Sequence, residues 1–511
     1  MVGVRSSRGC KVCRRKKRGC DLSRPTCGQC QKIGAKCTYE DRSYTFVAPQ
    51  EHVTVRPHSP ATFNRPSFLL ADRRQQLETI FWEAYLPSSE SPHDTAFTHT
   101  VIATWIPTVR YLATVDHTTR LALDSCILMA LGRMQGNLDS VQHGVAMYCQ
   151  ALTETNRALQ LPATAQTDAT LATCALLAMC EKYRPHCGSD VSSQATDYQS
   201  HVEGTARLLE LRGCQKHVSE HGFALFAHAR PSIALTGITR RQKTLLDSQT
   251  WRQVPWGAQN RHRTLKDKLV DATLGVAGAL EQLDRHHKDP GIDALRSDEV
   301  VKACATPVQW LRAWEIEALR LHSDGPSNLS DVCAKHGFGF YHLAMQFWAV
   351  SLLLSARCRP FVDHLTKRSD ESIRPSPTLH ALASLVPNPQ TCAINIATHA
   401  HHYFAPTTGL VGPQHATFPL GAALHFFAAT GQKASASKDD EAVPAAADDR
   451  TDPGTALVIR RLQELFRNVE RAKSTGEFLR SMAPAPAPAE LKGDTNDAGE
   501  HEKMAKEWFK L

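Results

Sequence analysis

Six cysteines fall within the first 37 residues, at Cys10, Cys13, Cys20, Cys27, Cys30 and Cys37, in the order C-x2-C-x6-C-x6-C-x2-C-x6-C. The pattern divides into two similar halves, each a C-x2-C pair followed by a third cysteine at the same interval. A C-x2-C turn can aim two thiolates at one ion, with sulfur about 2.3 Å from zinc in tetrahedral geometry. Six sulfurs fall short of what two separate four-coordinate sites need. Either some sulfurs bridge or other ligands join. No histidine lies between Cys10 and Cys37 and Asp21 is the only acid there, so bridging thiolates are the simplest arrangement. All-thiolate sites favour zinc, and iron–sulfur clusters, which use the same ligand type, rarely adopt this spacing.

A disulfide framework is the competing reading of six cysteines, and it needs an oxidising compartment. Met1 to Gly9 contains no apolar h-region and no small-residue cleavage site, so reduced thiols and a metal are expected. Ten further cysteines, among them Cys126, Cys149, Cys174 and Cys180, are scattered among apolar residues at no ligand spacing. They read as small core hydrophobes. Between the first and last of the six, Val12, Leu22, Ile33 and Ala35 are nearly the only apolar side chains, so no hydrophobic core can form. Zinc binding, on the order of 10 to 16 kcal/mol in small finger peptides, would have to fold this segment.

Charge indicates what such a module touches. Residues 1–42 hold twelve Lys and Arg against Asp21, Glu40 and Asp41, while the whole chain carries +8, so the remainder is close to neutral. Part of this positive field offsets the thiolates, and the rest is a phosphate-seeking surface whose DNA affinity falls steeply with salt. Phosphate contacts position a protein without reading bases. A short helix beginning near Val12 would carry Lys16 and Lys17 toward its end, where a lysine ammonium can reach guanine O6 and N7 in the major groove. Arg14, Arg15, Arg18, Lys11 and Lys32 are expected at phosphates or in solvent. The run Arg14 to Arg18 also fits a nuclear localisation signal.

This segment resembles the fungal binuclear zinc cluster family of transcription regulators, in which six cysteines hold two zinc ions. The likeness covers Cys10 to Cys37, with Pro25 in the loop joining the halves and Arg14, Lys16 and Lys17 matching the basic run after the second cysteine. Gly19 stands where the family usually has Lys. The resemblance implies that Cys10 and Cys27 bridge, that Cys13 and Cys20 complete one zinc and that Cys30 and Cys37 complete the other. It also implies readout of CGG-type triplets on double-stranded DNA by the lysines after the second cysteine, at RNA polymerase II promoters in the nucleus.

The chain beyond residue 68 is expected to be all-α, giving a mostly α protein with a metal-nucleated module at its N-terminus. Asp139 to Leu161 opens on an N-cap candidate, has Gln142 three residues on and stops at Pro162. Its Val141, Val145, Tyr148, Leu152, Thr155 and Leu159 recur at helical spacing, which predicts an amphipathic helix. Leu121 to Leu131 is apolar nearly all round, as in a helix buried on every side, ending near Gly132 and Gly136. Thr167 to Tyr183 and Gln199 to Arg212 predict two more, the second closed by Gly213. The features Tyr148-x3-Leu152, Leu176-Leu177 and Leu208-Leu209-x2-Arg212-Gly213 resemble the helical regulatory domain that accompanies many such clusters. That resemblance implies regulatory inputs and coregulator contacts.

The expected domains are 1–45 for the cluster, 46–68 for a Pro-rich linker and 69–430 for the helical domain. A disordered insertion at 431–454, a helix over 455–482 and a disordered tail at 483–511 follow. A coiled-coil candidate, Leu70 to Ala84, places Arg73 or Arg74 in its seam and is too short for a zipper, so a homodimer would form through the helical domain. Met345 to Leu354 is the most apolar run, far shorter than a bilayer span, and reads as a core helix with no membrane role. No G-x-S-x-G, Walker loop, H-E-x-x-H or G-x-G-x-x-G occurs, so no enzyme is expected. His399, His401 and His402 cluster without a nearby carboxylate and read as structural or surface residues. The alternative to a promoter-specific regulator is a zinc-binding protein that contacts nucleic acid without promoter-specific activity.

Overall fold

Local sequence chemistry sets the helix ends of the larger part of the molecule. The structure, a computed structural model, describes residues 10–16, 20–21, 23, 26–38, 71–88, 91–184, 191–257, 261–288, 294–320, 328–333, 336–369 and 377–436, with isolated positions between 460 and 465. Contacts divide the chain into two units, Met1–Val47 and Ala48–Leu511. Among the described residues both units are built from helices, with no strand.

The first unit contains α1 (Lys11–Arg15) and α2 (Gly28–Lys32). The second begins with α3 (Ala71–Tyr85), α4 (Pro92–Ile102), α5 (Ile106–Val115), α6 (His117–Gln135), α7 (Leu138–Ala158), α8 (Pro162–Ala165), α9 (Asp168–Glu181) and α10 (Val191–Arg212). It continues with α11 (Glu220–Arg240), α12 (Gln249–Gly257), α13 (Leu265–Lys288), α14 (Ala294–Arg320) and α15 (Leu329–Cys333). The last are α16 (Phe338–Ser369), α17 (Pro377–Leu385), α18 (Pro389–His399) and α19 (Val411–Ala436).

The apolar run at Leu121 lies in α6, capped by the Asp116 carboxylate, which accepts from Thr119 N–H at 2.7 Å, and ended by Gly136 in the left-handed conformation at φ 65°. Buried residues cover nearly every face of its centre, from Leu121 to Gly132. The helix expected from Asp139 starts one turn's edge earlier: its cap is Asn137, whose Oδ1 accepts from Ser140 N–H at 3.1 Å, and Asp139 lies in the first turn. Val141, Tyr148, Leu152 and Thr155 are buried as the spacing predicts, whereas Val145 and Leu159 are only partly so. The remainder of the buried face is Gly144 and Ala151, because α6 and α7 approach too closely for larger groups. A Cβ on Gly144 would stand 2.6 Å from Met129 Cγ.

The helix predicted over Thr167 to Tyr183 is α9, with Thr167 as its cap. The one predicted from Gln199 starts earlier, at Val191, and ends at Arg212 before Gly213, which takes φ 73°. The coiled-coil candidate is α3, and its apolar face is spent inside the unit: Phe81, Trp82 and Tyr85 are buried. Arg74 pairs with Asp124 at 3.3 Å and Glu78 receives Arg110 at 2.8 Å. Its end is pinned where Leu410 N–H donates to Ala84 O at 2.9 Å. Gly409 at φ 62° permits this, since a Cβ there would lie 2.4 Å from Tyr85 O.

The apolar run Met345 to Leu354 occupies the middle of α16, which is longer than its apolar core suggested. By length and composition this helix could cross a bilayer, yet 83% of its most apolar window is buried among other helices. It packs against α4, α13, α14, α15, α17, α18 and α19, making it the spine of the unit. At one end Gly339 N–H donates to Thr98 Oγ1 on α4 at 3.0 Å. Arg230, fully buried, is held by Asp267 at 3.3 Å and by Asp271, and its guanidinium lies 4.5 Å from the Trp256 ring centre. Removing both acids would strand a buried charge, at about 3 to 5 kcal/mol.

The scattered cysteines are mostly core residues: Cys126, Cys174, Cys180, Cys304, Cys333, Cys358 and Cys392 are buried, while Cys149 is exposed. The linker at 46–68 and the tail at 483–511 lie outside the described residues. Helix α19 runs on to Ala436, into the stretch whose composition suggested disorder, and 437–454 lies outside the description. Of the helix expected over 455–482, only Arg460, Leu462, Glu464 and Leu465 are described, all helical.

Candidate metal centre and nucleic-acid interface

The two halves of the cysteine segment fold alike because each C-x2-C pair caps a short helix with its own sulfur. Cys13 N–H donates to Cys10 Sγ at 3.4 Å at the start of α1, and Cys30 N–H donates to Cys27 Sγ at 3.4 Å at the start of α2. Helix α1 starts slightly before Val12 and stops at Arg15, with Lys16 N–H closing onto Val12 O at 3.0 Å. Helix α2 ends at Lys32, and the chain turns away just after it at Gly34, which takes φ 60°. The third cysteine of the second half returns to the start of α2, where Cys27 N–H donates to Cys37 Sγ at 3.4 Å.

These turns bring all six sulfurs together. Cys10 Sγ lies 3.5 Å from Cys30 Sγ and 3.8 Å from Cys27 Sγ, and Cys13 Sγ lies 3.7 Å from Cys27 Sγ. The sulfurs form two overlapping groups, Cys10, Cys13, Cys20, Cys27 and Cys10, Cys27, Cys30, Cys37, with the ligand atoms of each within 4.8 Å of one another. Around them, among the described residues, Val12 is the one non-cysteine apolar side chain packed, and Ile33 is exposed. Sulfur, not hydrocarbon, fills this centre.

The thiols titrate unequally. The Cys13 N–H aimed at its sulfur holds the Cys10 thiol down at about 6, while burial pushes the Cys13 thiol up to about 12 and raises Cys30 too. Four ionised sulfurs at such separations repel one another, and a divalent cation supplies the missing counter-charge. The donor set therefore fits zinc ions with thiolate ligands.

One further residue organises the centre, and sequence reasoning weighed it only as a spare ligand. Asp21 faces the second half instead: its Oδ2 accepts from Gly28 N–H at 2.9 Å and its Oδ1 from Ser23 N–H at 3.4 Å. The Gly28 N–H is the main reason its carboxyl lies below the usual range. A Cβ on Gly28 would stand 2.8 Å from Asp21 Oδ2, so glycine leaves the acid its place. The C-G pair at Cys27–Gly28 was the available signal.

Residues 8–45 match a family model described as the fungal Zn(2)-Cys(6) binuclear cluster domain. The N-terminal unit is a binuclear zinc cluster. It binds two zinc ions, and its family is one of DNA-binding transcription regulators rather than enzymes. The match covers the N-terminal segment of a chain of 511 residues. Comparison with curated proteins and with solved structures returns no match.

On the cluster's surface, Arg15 and Lys16 are exposed at the end of α1, and Lys32 is exposed in the last turn of α2. Lys11 and Arg14 lie on the backbone of α1, while Lys17 and Arg18 fall outside the described residues. Lys36, which the sequence reading passed over, is exposed beside Cys37. Among the described residues, the only groups of Cys, His and acidic side chains close enough to hold a metal are in the cluster. His399, His401 and His402 instead pack as rings: His399 stacks on Trp348 with centroids 5.4 Å apart, and His402 lies 5.1 Å from Tyr341.

Proposed function

We propose that the chain is a sequence-specific regulator of transcription that acts in the nucleus, at promoters used by RNA polymerase II. In this reading Cys10 and Cys27 bridge the two zinc ions, Cys13 and Cys20 complete one, and Cys30 and Cys37 complete the other. The overlap of the two sulfur groups at Cys10 and Cys27 supports that assignment. Lys16 and Lys17 read guanines of CGG-type triplets, and Arg14, Arg15, Arg18, Lys11 and Lys32 take phosphates. The observation that carries the reading is the exposed Lys16 at the end of a helix whose other end is held by a zinc-ligating sulfur. That arrangement gives a groove-reading side chain a fixed base, which a flexible basic run lacks.

The helical unit, in this reading, receives regulatory inputs, contacts coregulators and provides any homodimer interface. The burial of α3 against the rest of that unit supports placing dimerisation away from a linker zipper. Selection of bound duplexes from a random pool by the full chain tests the proposal. Enrichment of CGG-type triplets supports it, and the spacing of paired triplets would give the dimer's half-site geometry. Recovery without any enriched motif would point to a zinc-binding protein that contacts nucleic acid without promoter specificity.

A further inference from the structure

Helices α6 and α9 lie side by side in a fixed register. The Thr119 and Thr173 hydroxyls meet at 3.0 Å, and two turns further along both helices Cys126 Sγ lies 2.8 Å from Cys180 Sγ. Each of these pairs is separated by 54 residues in the chain, so the helices run in the same direction and the second meeting follows from the first. The residues where they touch are small and buried: Thr119, Ala122, Ser125 and Cys126 on α6, and Thr173 and Cys180 on α9. Short side chains let the two helices approach closely without a void.

The two thiols are arranged reciprocally. Cys126 donates to Leu176 O at 3.3 Å, the carbonyl one turn before Cys180, and Cys180 donates to Ala122 O at 3.6 Å, one turn before Cys126. Both hydrogens therefore have backbone acceptors, and the sulfurs face each other at less than the roughly 3.5 Å at which unbonded heavy atoms rest. A disulfide needs about 2.05 Å, a contraction that rotations of the two side chains can share. Cys174 supplies the contrast: it lies on α9 and is equally buried, with no thiol in hydrogen-bond contact among the described residues.

Neither sulfur is exposed to solvent, and burial pushes the Cys126 thiol up. The thiolate is the form that attacks an oxidant, so reaction waits for a local opening that brings water and oxidant to the seam between α6 and α9. The same seclusion then shields the product from reducing thiols, whose attack on a disulfide depends on access to its sulfur. A pair of this kind is slow to close and slow to reopen.

We propose that Cys126 and Cys180 are a redox pair of the helical unit, which a hydroperoxide converts to a disulfide locking α9 to α6. One thiolate attacks the O–O bond to give a sulfenic acid, and the proton that thiol has shed goes to the departing alkoxide, or hydroxide where the oxidant is hydrogen peroxide. The second thiol attacks the sulfenic sulfur, and its proton leaves with the hydroxyl as water. Two electrons pass from the sulfurs to the peroxide, so two thiols and one hydroperoxide give one disulfide, one alcohol and one water. Because α9 also packs against α5, α7, α10 and α11, the new bond restrains the middle of the helical unit. The lock does not depend on what the zinc cluster reads.

Hydrogen peroxide tests the pair on the full-length, zinc-loaded chain. After catalase removes the oxidant, the chain is denatured in N-ethylmaleimide, cut with trypsin without reduction and mapped by mass spectrometry. Peptide 121–133 should emerge joined to peptide 158–182, with fragmentation placing the bond at Cys126 and Cys180 and the maleimide on Cys174. The cluster cysteines fall on other peptides, so their own oxidation is read separately. The bond closes a separation of 54 residues, and the helical unit of the linked chain should melt several degrees above that of the reduced chain. Cys126→Ser taken through the same treatment should show no such rise, and Cys180→Ala replaces it if the serine variant does not fold. Dithiothreitol should open the bond faster in denaturant than in the native chain. Cys126 and Cys180 left unlinked after the exposed Cys149 is oxidised, Cys174 joining Cys126 as often as Cys180 does, or a linked chain melting no higher than the reduced one would overturn the proposal.

Discussion

The two units of this chain solve the same problem, ordering a backbone, with opposite materials. In the N-terminal unit the centre is sulfur, with Val12, among the described residues, as the one other apolar side chain packed there. In the helical unit the centre is hydrocarbon and aromatic, with Trp105, Trp314, Tyr403, Phe226 and Leu123 among its fully buried side chains. A sulfur centre needs a cation to neutralise it, so its stability depends on ligand supply and on pH. A hydrocarbon centre depends on apolar area removed from water, at roughly 25 cal/mol per Å², and on packing without voids. The contrast explains why a module of fewer than fifty residues can present rigid basic side chains while devoting almost nothing to a core.

Removing zinc should break the comparison most sharply. Chelation is expected to abolish protection of backbone amides in residues 8–45, a loss on the order of 10 kcal/mol or more of metal-linked folding, and to leave the α6–α7 amides protected. Hydrogen exchange read by mass spectrometry checks both halves of that statement. Within the cluster, Cys10→Ser should release both zinc ions, whereas Cys37→Ser should spare more metal, as counted by zinc analysis of the purified chain.

The converse substitution is Trp314→Ala. Trp314 is buried, stacks on Phe347 with centroids 5.0 Å apart and donates its indole N–H to Leu265 O at 2.8 Å. Its loss should cost the helical unit about 3 to 5 kcal/mol and lower its melting transition while zinc content stays at two ions.

Acid separates the units in a different way. Burial holds His217 at about 4 and His228 and His342 at about 3, below the unfolded value of about 6.5. The unfolded chain therefore binds more protons than the folded one between those values. The resulting stability is complete above pH 6.5 and is lost as pH falls toward 4. Melting of the helical unit followed by circular dichroism from pH 7.5 to 4.5 should show the decline, and a flat profile would refute it.

Smaller effects sharpen the surface side of the comparison. Lys16→Ala or Lys17→Ala should weaken binding to the selected site by about 1 to 3 kcal/mol and hardly change binding to random duplex. Equal losses on both, in a fluorescence-anisotropy titration, would make the residue a phosphate contact. Asn137→Ala should cost the helical unit about 1 kcal/mol in a denaturant titration, the usual value of a lost N-cap.

Legibility differed between the units for the same reason that their materials differ. Metal ligands must recur at fixed local spacing, so the cysteine pattern was open to reading from Cys10 to Cys37. The buried stripe of α7 was readable at Val141, Tyr148, Leu152 and Thr155, since helical periodicity is also local. Gly144 was not, because its place in the core depends on how near α6 passes. Asn137 was missed as the cap because an acid two positions later offered a competing signal.

Helix α16 touches α4 near the start of the helical unit and α19 near its described end. Early and late segments of the unit therefore share a single keel. A gene truncated upstream of residue 338 would encode α4 without the surface it lies on, and its product would be a chaperone or protease client. Loss of activity in such an allele would report a collapsed scaffold, and mapping of separable regulatory segments calls for substitutions on the exterior rather than deletions.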